Sequence, residues 1–354
     1  MQLSCKYFLK NFTRGFLPVR LNCTDCMKTI ESIAELKNIR KGCVLTIGNF
    51  DGVHLGHQAI LTAAKELAAK AGSELVAMTF EPHPVAILHP EKAPARLTPL
   101  PLKKYLLGRQ NVDCLIILKD SADLLKLSPA DFVDKFLVKY IQPAVVVEGD
   151  TFSFGANRSG SVQILADLGK ERGFRVSIVP QKEIQLDDKK NVKISSSAIR
   201  GLLQSGNVTD AAFALDKPYR LIGRIVSGKG KGRHLGFPTL NMEKPNQLVP
   251  AGGVYAGFVE VGNSYEQVVA AQQKLPAVFS IGYTATFGLA QPLLIEAHLL
   301  MENADRITDK YLAMDFIQHI RPQQKFPSES ALVAQIAKDC QTAKTMLNPL
   351  KMEG

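Results

Sequence analysis

The 354-residue sequence predicts a parallel α/β domain followed by a mostly antiparallel β domain that ends in a helix. Three observations predict it. At about 150 residues per domain the length asks for two domains. From Cys43 onward, short apolar runs alternate with helix-period patterns, which predicts a parallel sheet covered on both faces. After Asp216–Pro218 glycine and proline become frequent, and short β-branched and aromatic runs replace the helices.

Composition narrows the function classes. Hydrophobic content of 46% and charged content of 21% exclude disorder, collagen and coiled coil. Apolar runs such as Cys114–Leu118 and Ala144–Val147 fall far short of the ~18 residues a spanning helix needs, so no membrane partner is expected. Six cysteines are too few for a disulfide scaffold, and Cys23-x-x-Cys26 has no second pair at zinc spacing. Reduced thiols and a cytoplasmic location are expected. The net charge of +10 favours an anionic partner without choosing among nucleotide, nucleic acid and acidic surface.

Residues 1–26 carry Lys6, Lys10, Arg14 and Arg20 against Asp25, and their apolar residues never build a secretory core. They read as an extension outside the fold. The first domain, 27–216, is expected to hold strands at Cys43–Ile47, Glu74–Phe80, Asp113–Leu118, Ala144–Glu148 and Arg175–Val179. Ile60, Ala64, Leu67, Ala68 and Ala71 share one helix face, and Ser128-Pro129 opens a second helix over Phe132, Val133 and Phe136. The second domain, 217–354, is expected to hold strands at Tyr219–Val226, Val254–Val261, Leu275–Ile281, Leu293–Leu300 and Tyr311–Ile320, a small barrel. Ser328 caps a last helix carrying Leu332, Val333, Ile336, Cys340 and Ala343. Each half is expected to bury its own core.

Ligands of such a sheet lie beyond the carboxyl ends of the strands, which directs attention to the loop after the first strand of the α/β alternation, Gly48-Asn49-Phe50-Asp51-Gly52-Val53-His54-Leu55-Gly56-His57. Its glycines allow close backbone approach, and a helix N-terminus there offers N–H donors to an anion. His54 and His57 flank Gly56 and can donate to phosphate oxygens. Ile194–Arg200 reads as a second phosphate clamp, with Ser195, Ser196 and Ser197 opening a helix and Arg200 one turn in.

In the second half, Gly223–Arg233 alternates glycine with basic residues, and Lys217–Met242 holds six Lys or Arg and no acid. It lacks the ending of a Walker A loop, and no aromatics interleave it for base stacking, so a triphosphate is a simpler ligand than nucleic acid. Thr239 and Asn241 offer hard oxygen ligands suited to magnesium. In Pro292–Leu300 the carboxylate of Glu296 interrupts an apolar strand, on one face with Leu294 and His298.

Taken in order, these segments resemble the prokaryotic bifunctional riboflavin kinase/FMN adenylyltransferase (FAD synthetase) family. Gly48–His57 resembles its nucleotidyltransferase signature, and Phe80, Pro82, His83 and Pro84 its F-x-P-H-P. Arg96-Leu97-Thr98 resembles R-L-T, and Gly155, Arg158 and Gly160 resemble F-G-x-x-R-x-G. Ile194–Arg200 resembles I-S-S-T-x-I-R, and His234–Asn241 the kinase R-x-L-G-F-P-T-A-N, with Leu240 for Ala. Thr151 stands where the family pattern has Asn or Asp.

The resemblance implies a nucleotidyltransferase-like α/β domain and a riboflavin kinase barrel, which convert riboflavin to FMN and FMN to FAD with ATP and Mg²⁺. It implies catalytic roles for His54, His57 and Glu296, the last as base toward the ribityl hydroxyl. ATP in the first domain would meet Gly48, Phe50, Asp51, Gly56, Ser196, Ser197 and Arg200, and FMN would meet Phe80, Pro82, His83 and Pro84. In the second domain ATP would meet Gly228, Gly232, Arg233, Gly236, Pro238 and Thr239, with Thr239 and Asn241 on the metal. Two alternatives stay open: a chain with only its kinase half active, and a basic nucleic-acid-binding protein on a reused nucleotidyltransferase fold.

Overall fold

The structure, a computed structural model, describes residues 27–351 except 120, 187–190, 229, 271–272, 284–292, 302–306 and 308–309. The extension expected at 1–26 and the loop residue Lys229 therefore lie outside the described residues. The first strands are β1 (Lys28–Ile30), β2 (Val44–Ile47), β3 (Leu75–Phe80), β4 (Cys114–Leu118) and β5 (Val145–Gly149). A hairpin of β6 (Ser153–Phe154) and β7 (Gly160–Ser161) precedes β8 (Arg175–Val179). The six longer-range partners form one all-parallel sheet in the order β1-β4-β3-β2-β5-β8.

These strands are continuous apolar runs because both faces are covered. Val44, Leu75 and Leu115 meet Leu61, Ala64 and Ala68 of the helix Leu55–Ala71 on one face. Leu45, Val76 and Ile116 meet Phe132, Val133 and Phe136 on the other. The helix Leu55–Ala71 stops at Gly72, whose φ of 58° is the left-handed conformation that glycine accepts cheaply. Ser128 caps its helix as expected, its Oγ accepting from Asp131 N at 3.1 Å, and the turns widen to a π-helix over Val133–Ile141. The chain steps from β2 through β3 to β4 on one side, then crosses to β5 on the other. That reversal opens a crevice at the carboxyl end of β2.

A second hairpin, β9 (Glu183–Gln185) with β10 (Asn191–Lys193), leads to the barrel. Its strands are β11 (Tyr219–Val226), β12 (Leu240–Met242), β13 (Gly253–Gly262), β14 (Leu275–Tyr283), β15 (Leu293–Leu299) and β16 (Tyr311–Arg321). They close antiparallel in the order β11-β12-β15-β14-β13-β16, around Leu221, Tyr255, Phe279, Ile295, Ala297 and Phe316. The helix Glu329–Lys351 lays Cys340, Ala343 and Leu347 on Val254, Ala256 and Phe258, and Ser328 Oγ caps it through Ala331 N at 3.2 Å.

Two of the six basic residues counted between 217 and 242 turn away from the glycine-rich loop. Arg220 lies between Asp315, at 2.8 and 2.7 Å, and Glu260, at 3.1 Å, a largely buried cluster on the barrel wall. Lys217 turns back into the joint between the domains. The exposed described cations of the stretch are Arg224, Lys231 and Arg233.

The joint is a shared core. Leu97, Ile199, Leu203, Val208, Ala211 and Leu215 cluster with Tyr219, Leu221, Tyr255 and Phe316. The helix Val208–Leu215 lies on β16 and β11, and Thr209 Oγ1 donates to Ile317 O at 3.3 Å. Gln247 Nε2 bridges Leu97 O at 2.9 Å and Arg220 O at 2.6 Å. We therefore propose that the barrel's stable unit begins near Gly206 rather than at Lys217. A fragment from Lys217 uncovers the barrel side chains under this helix, at roughly 1.5–3 kcal/mol for each fully exposed one. Thermal unfolding followed by circular dichroism should show the 206–354 fragment melting well above the 217–354 fragment; equal midpoints contradict the assignment.

Candidate active sites

The loop Gly48–His57 leaves β2 at the crevice. Phe50 and Val53 are held at φ 46° and 42°, conformations that non-glycine residues rarely keep without support. The support comes from the neighbouring segments. The Asp51 carboxylate accepts Leu97 N at 3.0 Å and Thr98 N at 2.8 Å, and Gly52 N donates to Thr98 Oγ1. Ser196 Oγ donates to Asp51 O at 2.8 Å, and the Arg200 guanidinium pairs with the Asp51 carboxylate while its Nε reaches Ala95 O at 2.6 Å.

His54 caps the helix Leu55–Ala71, its Nδ1 accepting from His57 N at 3.4 Å, which leaves the proton of the neutral ring on Nε2. Its ring lies 3.2 Å from where a side chain on Gly56 would begin. The two imidazoles stack with centroids 3.7 Å apart, and Phe50 meets His57 edge-on at 5.3 Å. Burial, then the Lys217 charge, pushes His54 down to about 3; burial, then His54, holds His57 well below the usual range. Both rings are neutral donors in the free protein.

The F-x-P-H-P motif meets the same loop through His83, whereas Arg158 donates to Ser153 Oγ at 2.8 Å within its own hairpin. Asn49 Nδ2 lies 3.0 Å from His83 Nε2, and His83 Nδ1 accepts from Val85 N at 3.1 Å, capping a short helix that Pro84 begins. Arg96 pairs with Glu81, between Phe80 and Pro82, at 2.6 Å. Ser195 spends its hydroxyl on Ala198 N, and Ser197 is exposed. His57 Nδ1 and Asn49 Oδ1 are buried with no hydrogen-bond partner among the described residues. Both atoms lie in the loop or beside it, where a ligand or a water can take the open position. Thr151 is exposed, and its neighbour Asp150 accepts from Gln181 N at 3.1 Å.

The second site lies on the outer face of the barrel. On β15, Ile295, Ala297 and Leu299 enter the core, so Glu296 and His298 face outward, as the alternation predicts. Asn241 and Glu296 are cross-strand partners, and Thr239 Oγ1 donates to Glu296 Oε1 at 3.5 Å. His298 Nδ1 meets Pro238 O at 2.8 Å. The glycine-rich loop crosses over this group. A β-carbon on Gly232 would meet the backbone oxygen Phe237 O at 2.4 Å, so that position needs glycine, and one on Gly228 would displace the Asn241 amide, 2.2 Å away. Gly236 takes φ 83°, and Arg233 is exposed beside it. Burial raises the Glu296 carboxyl above its usual value, against the lowering by the Thr239 hydrogen bond.

The sequence-predicted residues thus gather in two places, one per domain. The sequence alone does not distinguish Asn49, Gln247 and Lys217 from their neighbours. Asn49 sits inside the motif already quoted, whereas Gln247 and Lys217 act through contacts distant in sequence. Among the described residues there is no group of three or more His, Cys, Asp or Glu that could hold a metal, and no helix long and apolar enough to cross a membrane.

Two family models match the chain in succession. Residues 36–198 match the FAD synthetase family model and residues 215–347 the riboflavin kinase model. The chain is 37% identical over 320 residues to the bifunctional riboflavin kinase/FMN adenylyltransferase of Escherichia coli K12, covering 90% of this chain and 97% of that one. It is 34% identical over 323 residues to the Pseudomonas fluorescens protein of the same description, covering 91% and 99%. A crystal structure described as a macrolide-efflux protein from Streptococcus pneumoniae superposes with a TM-score of 0.76 at 26% identity, covering 90% of this chain and 99% of that one. With both family models matched in order and both relatives spanned nearly end to end, the chain belongs to the bifunctional riboflavin kinase/FMN adenylyltransferase family.

Proposed function

We propose that each domain carries out one of two successive steps. In the barrel, the ribityl 5′-hydroxyl of riboflavin attacks the γ-phosphorus of ATP, ADP leaves, and Glu296 takes the hydroxyl proton. In the α/β domain, the FMN phosphate attacks the α-phosphorus of ATP and pyrophosphate leaves, giving FAD. Both are phosphoryl-type transfers, governed by positioning and neutralisation of charge, with no covalent enzyme intermediate required. The observation that supports the reading is that one chain brings together a neutral imidazole pair at a helix head and, in the barrel, a carboxylate beside Thr239 and Asn241.

His54 Nε2 and His57 donate to oxygens around the α-phosphorus as negative charge builds there. His54 donates as the neutral ring, because its Nδ1 is held as the acceptor for His57 N. Ser197 and the N-terminus of the helix Ser196–Gln204 bind further oxygens. Ser196 and Arg200 act partly through Asp51, which they hold in place. Phe80, Pro82, His83 and Pro84 form the FMN side, with Asn49 linking His83 to the loop. In the barrel, Gly228, Gly232, Arg233, Gly236 and Pro238 shape the ATP loop.

The donor set fits magnesium. Thr239 and Asn241 present uncharged hard oxygens near Glu296, and glycine at 228 leaves the Asn241 amide its room. Thr239 and Asn241 would hold the ion there, and it would supply neutralisation of the phosphate charge.

A time course with riboflavin, ATP and Mg²⁺, resolving flavins by chromatography, tests the reading. FMN should rise first and FAD should follow. FMN accumulating without FAD identifies a kinase with a silent α/β domain. Salt-sensitive RNA binding with no flavin turnover would instead support a nucleic-acid-binding protein.

A further inference from the structure

The residue that joins the two domains reaches into the adenylyl site. Lys217 follows Asp216, the left-handed cap of the helix Val208–Leu215. Its Nζ donates to Gly52 O at 2.9 Å, Leu215 O at 3.0 Å and Val53 O at 3.1 Å, which uses all three ammonium donors. Gln58 Nε2 shares two of these acceptors, Val53 O at 3.0 Å and Leu215 O at 3.2 Å. No carboxylate joins the lysine in this set, so its charge is not cancelled by an ion pair there. The carbonyls it holds belong to the turn in which Val53 takes φ 42° and Gly52 φ 93°, directly before His54.

We propose that Lys217 is a positioning residue for adenylyl transfer: it pins the Gly52–Val53 turn so that His54 stands at the helix head, and it sets a positive charge behind both imidazoles. The inference rests on the reading of Gly48–His57 as the adenylyl-transfer site. The groups around the amine are Asp216 beside it in the chain and His54 and His57 in front. Beyond these rings are Arg200, paired with Asp51, and Lys103, 3.9 Å from Glu81. Burial brings the amine down to about 7, so its charge is lost near neutrality in the free protein. The imidazoles titrate far lower, and the FMN phosphate gains charge as pH rises, so neither produces a loss of rate above neutrality.

The test compares the full-length parent with Lys217→Met and Lys217→Gln, following FAD formation from FMN and FMN formation from riboflavin across pH. The parent's kcat/KM for FAD formation should fall as pH rises through about 7, with no matching limb in the kinase reaction. Lys217→Met should lower FAD formation on the order of 10–100-fold and abolish that limb, with kinase rate and melting temperature kept. Lys217→Gln, which keeps a donor but no charge, should fall between. Absence of the limb in the parent, an unchanged rate in Lys217→Met, or parallel loss of both products with a lowered melting temperature overturns the proposal. His57→Ala in the same assay separates the two claims. If it leaves FAD formation intact, the site assignment itself fails; if it alone lowers FAD formation, only the role of Lys217 fails.

Discussion

Glu296→Gln cuts FMN formation by roughly 10²–10⁴ while FAD formation from supplied FMN stays close to the parent. The argument starts from the alternation of β15, which turns Ile295 and Ala297 into the core and Glu296 outward beside Thr239 and Asn241. A general base must be ionised, and burial has raised this carboxyl above the ordinary range. Kinase kcat/KM should therefore rise with pH along an acidic limb displaced above that of a solvent carboxylate, and the limb should vanish in the glutamine variant. The stability sign separates base from strut. A carboxyl whose folded pKa is raised costs stability as pH rises through that value, so glutamine should leave the neutral-pH melting temperature unchanged or higher. Loss of kinase activity with a lowered melting temperature would mean Glu296 holds the barrel together. A rate within a few-fold of the parent would make it a bystander.

His57→Ala should lower FAD formation on the order of 10²–10³ and leave FMN formation nearly untouched. The imidazole stacks on His54 and meets Phe50 edge-on, and its Nδ1 has no partner among the described residues. That nitrogen is therefore free to meet a ligand oxygen. The variant leaves a gap beside Phe50, so chemical unfolding should accompany the assay. A loss of both activities, tracking a fall in stability, would assign the ring to packing.

Much of this arrangement was legible in the sequence because it rests on local pattern. The strands at Arg175–Val179 and Tyr219–Val226 have the bounds their apolar runs predict, and the Ser128 and Ser328 caps lie where they were expected. Short elements escaped. Lys28–Ile30 and Leu240–Met242 have three residues each, too few for a period to show, yet the latter carries Asn241 into register with Glu296. The helix Leu100–Arg109 sets Lys103 among the buried Leu102 and Leu107 and gives little periodic signal.

Contacts distant in sequence were the larger omission. Arg220 reads as one more cation of a phosphate loop, but partners 95 and 40 residues away bury it. Arg200 reads as an open fork, but its partner Asp51 lies 149 residues earlier. Lys217 reads as a linker residue because the carbonyls it holds at Gly52 and Val53 lie in another motif. Residue type announced where phosphate chemistry could occur; only the fold shows which cations hold the loops and which face outward.

The central claim is that one chain carries two chemically independent sites, linked in sequence of reaction by FMN. Mixing the His57→Ala protein with the Glu296→Gln protein tests it most directly. Each alone should fail to convert riboflavin and ATP to FAD, the first stopping at FMN and the second making little of either product. Together they should restore FAD formation, with FMN released by one variant and adenylylated by the other. If the mixture still stops at FMN, although Glu296→Gln alone converts supplied FMN to FAD, FMN does not pass freely between independent sites and the account is contradicted.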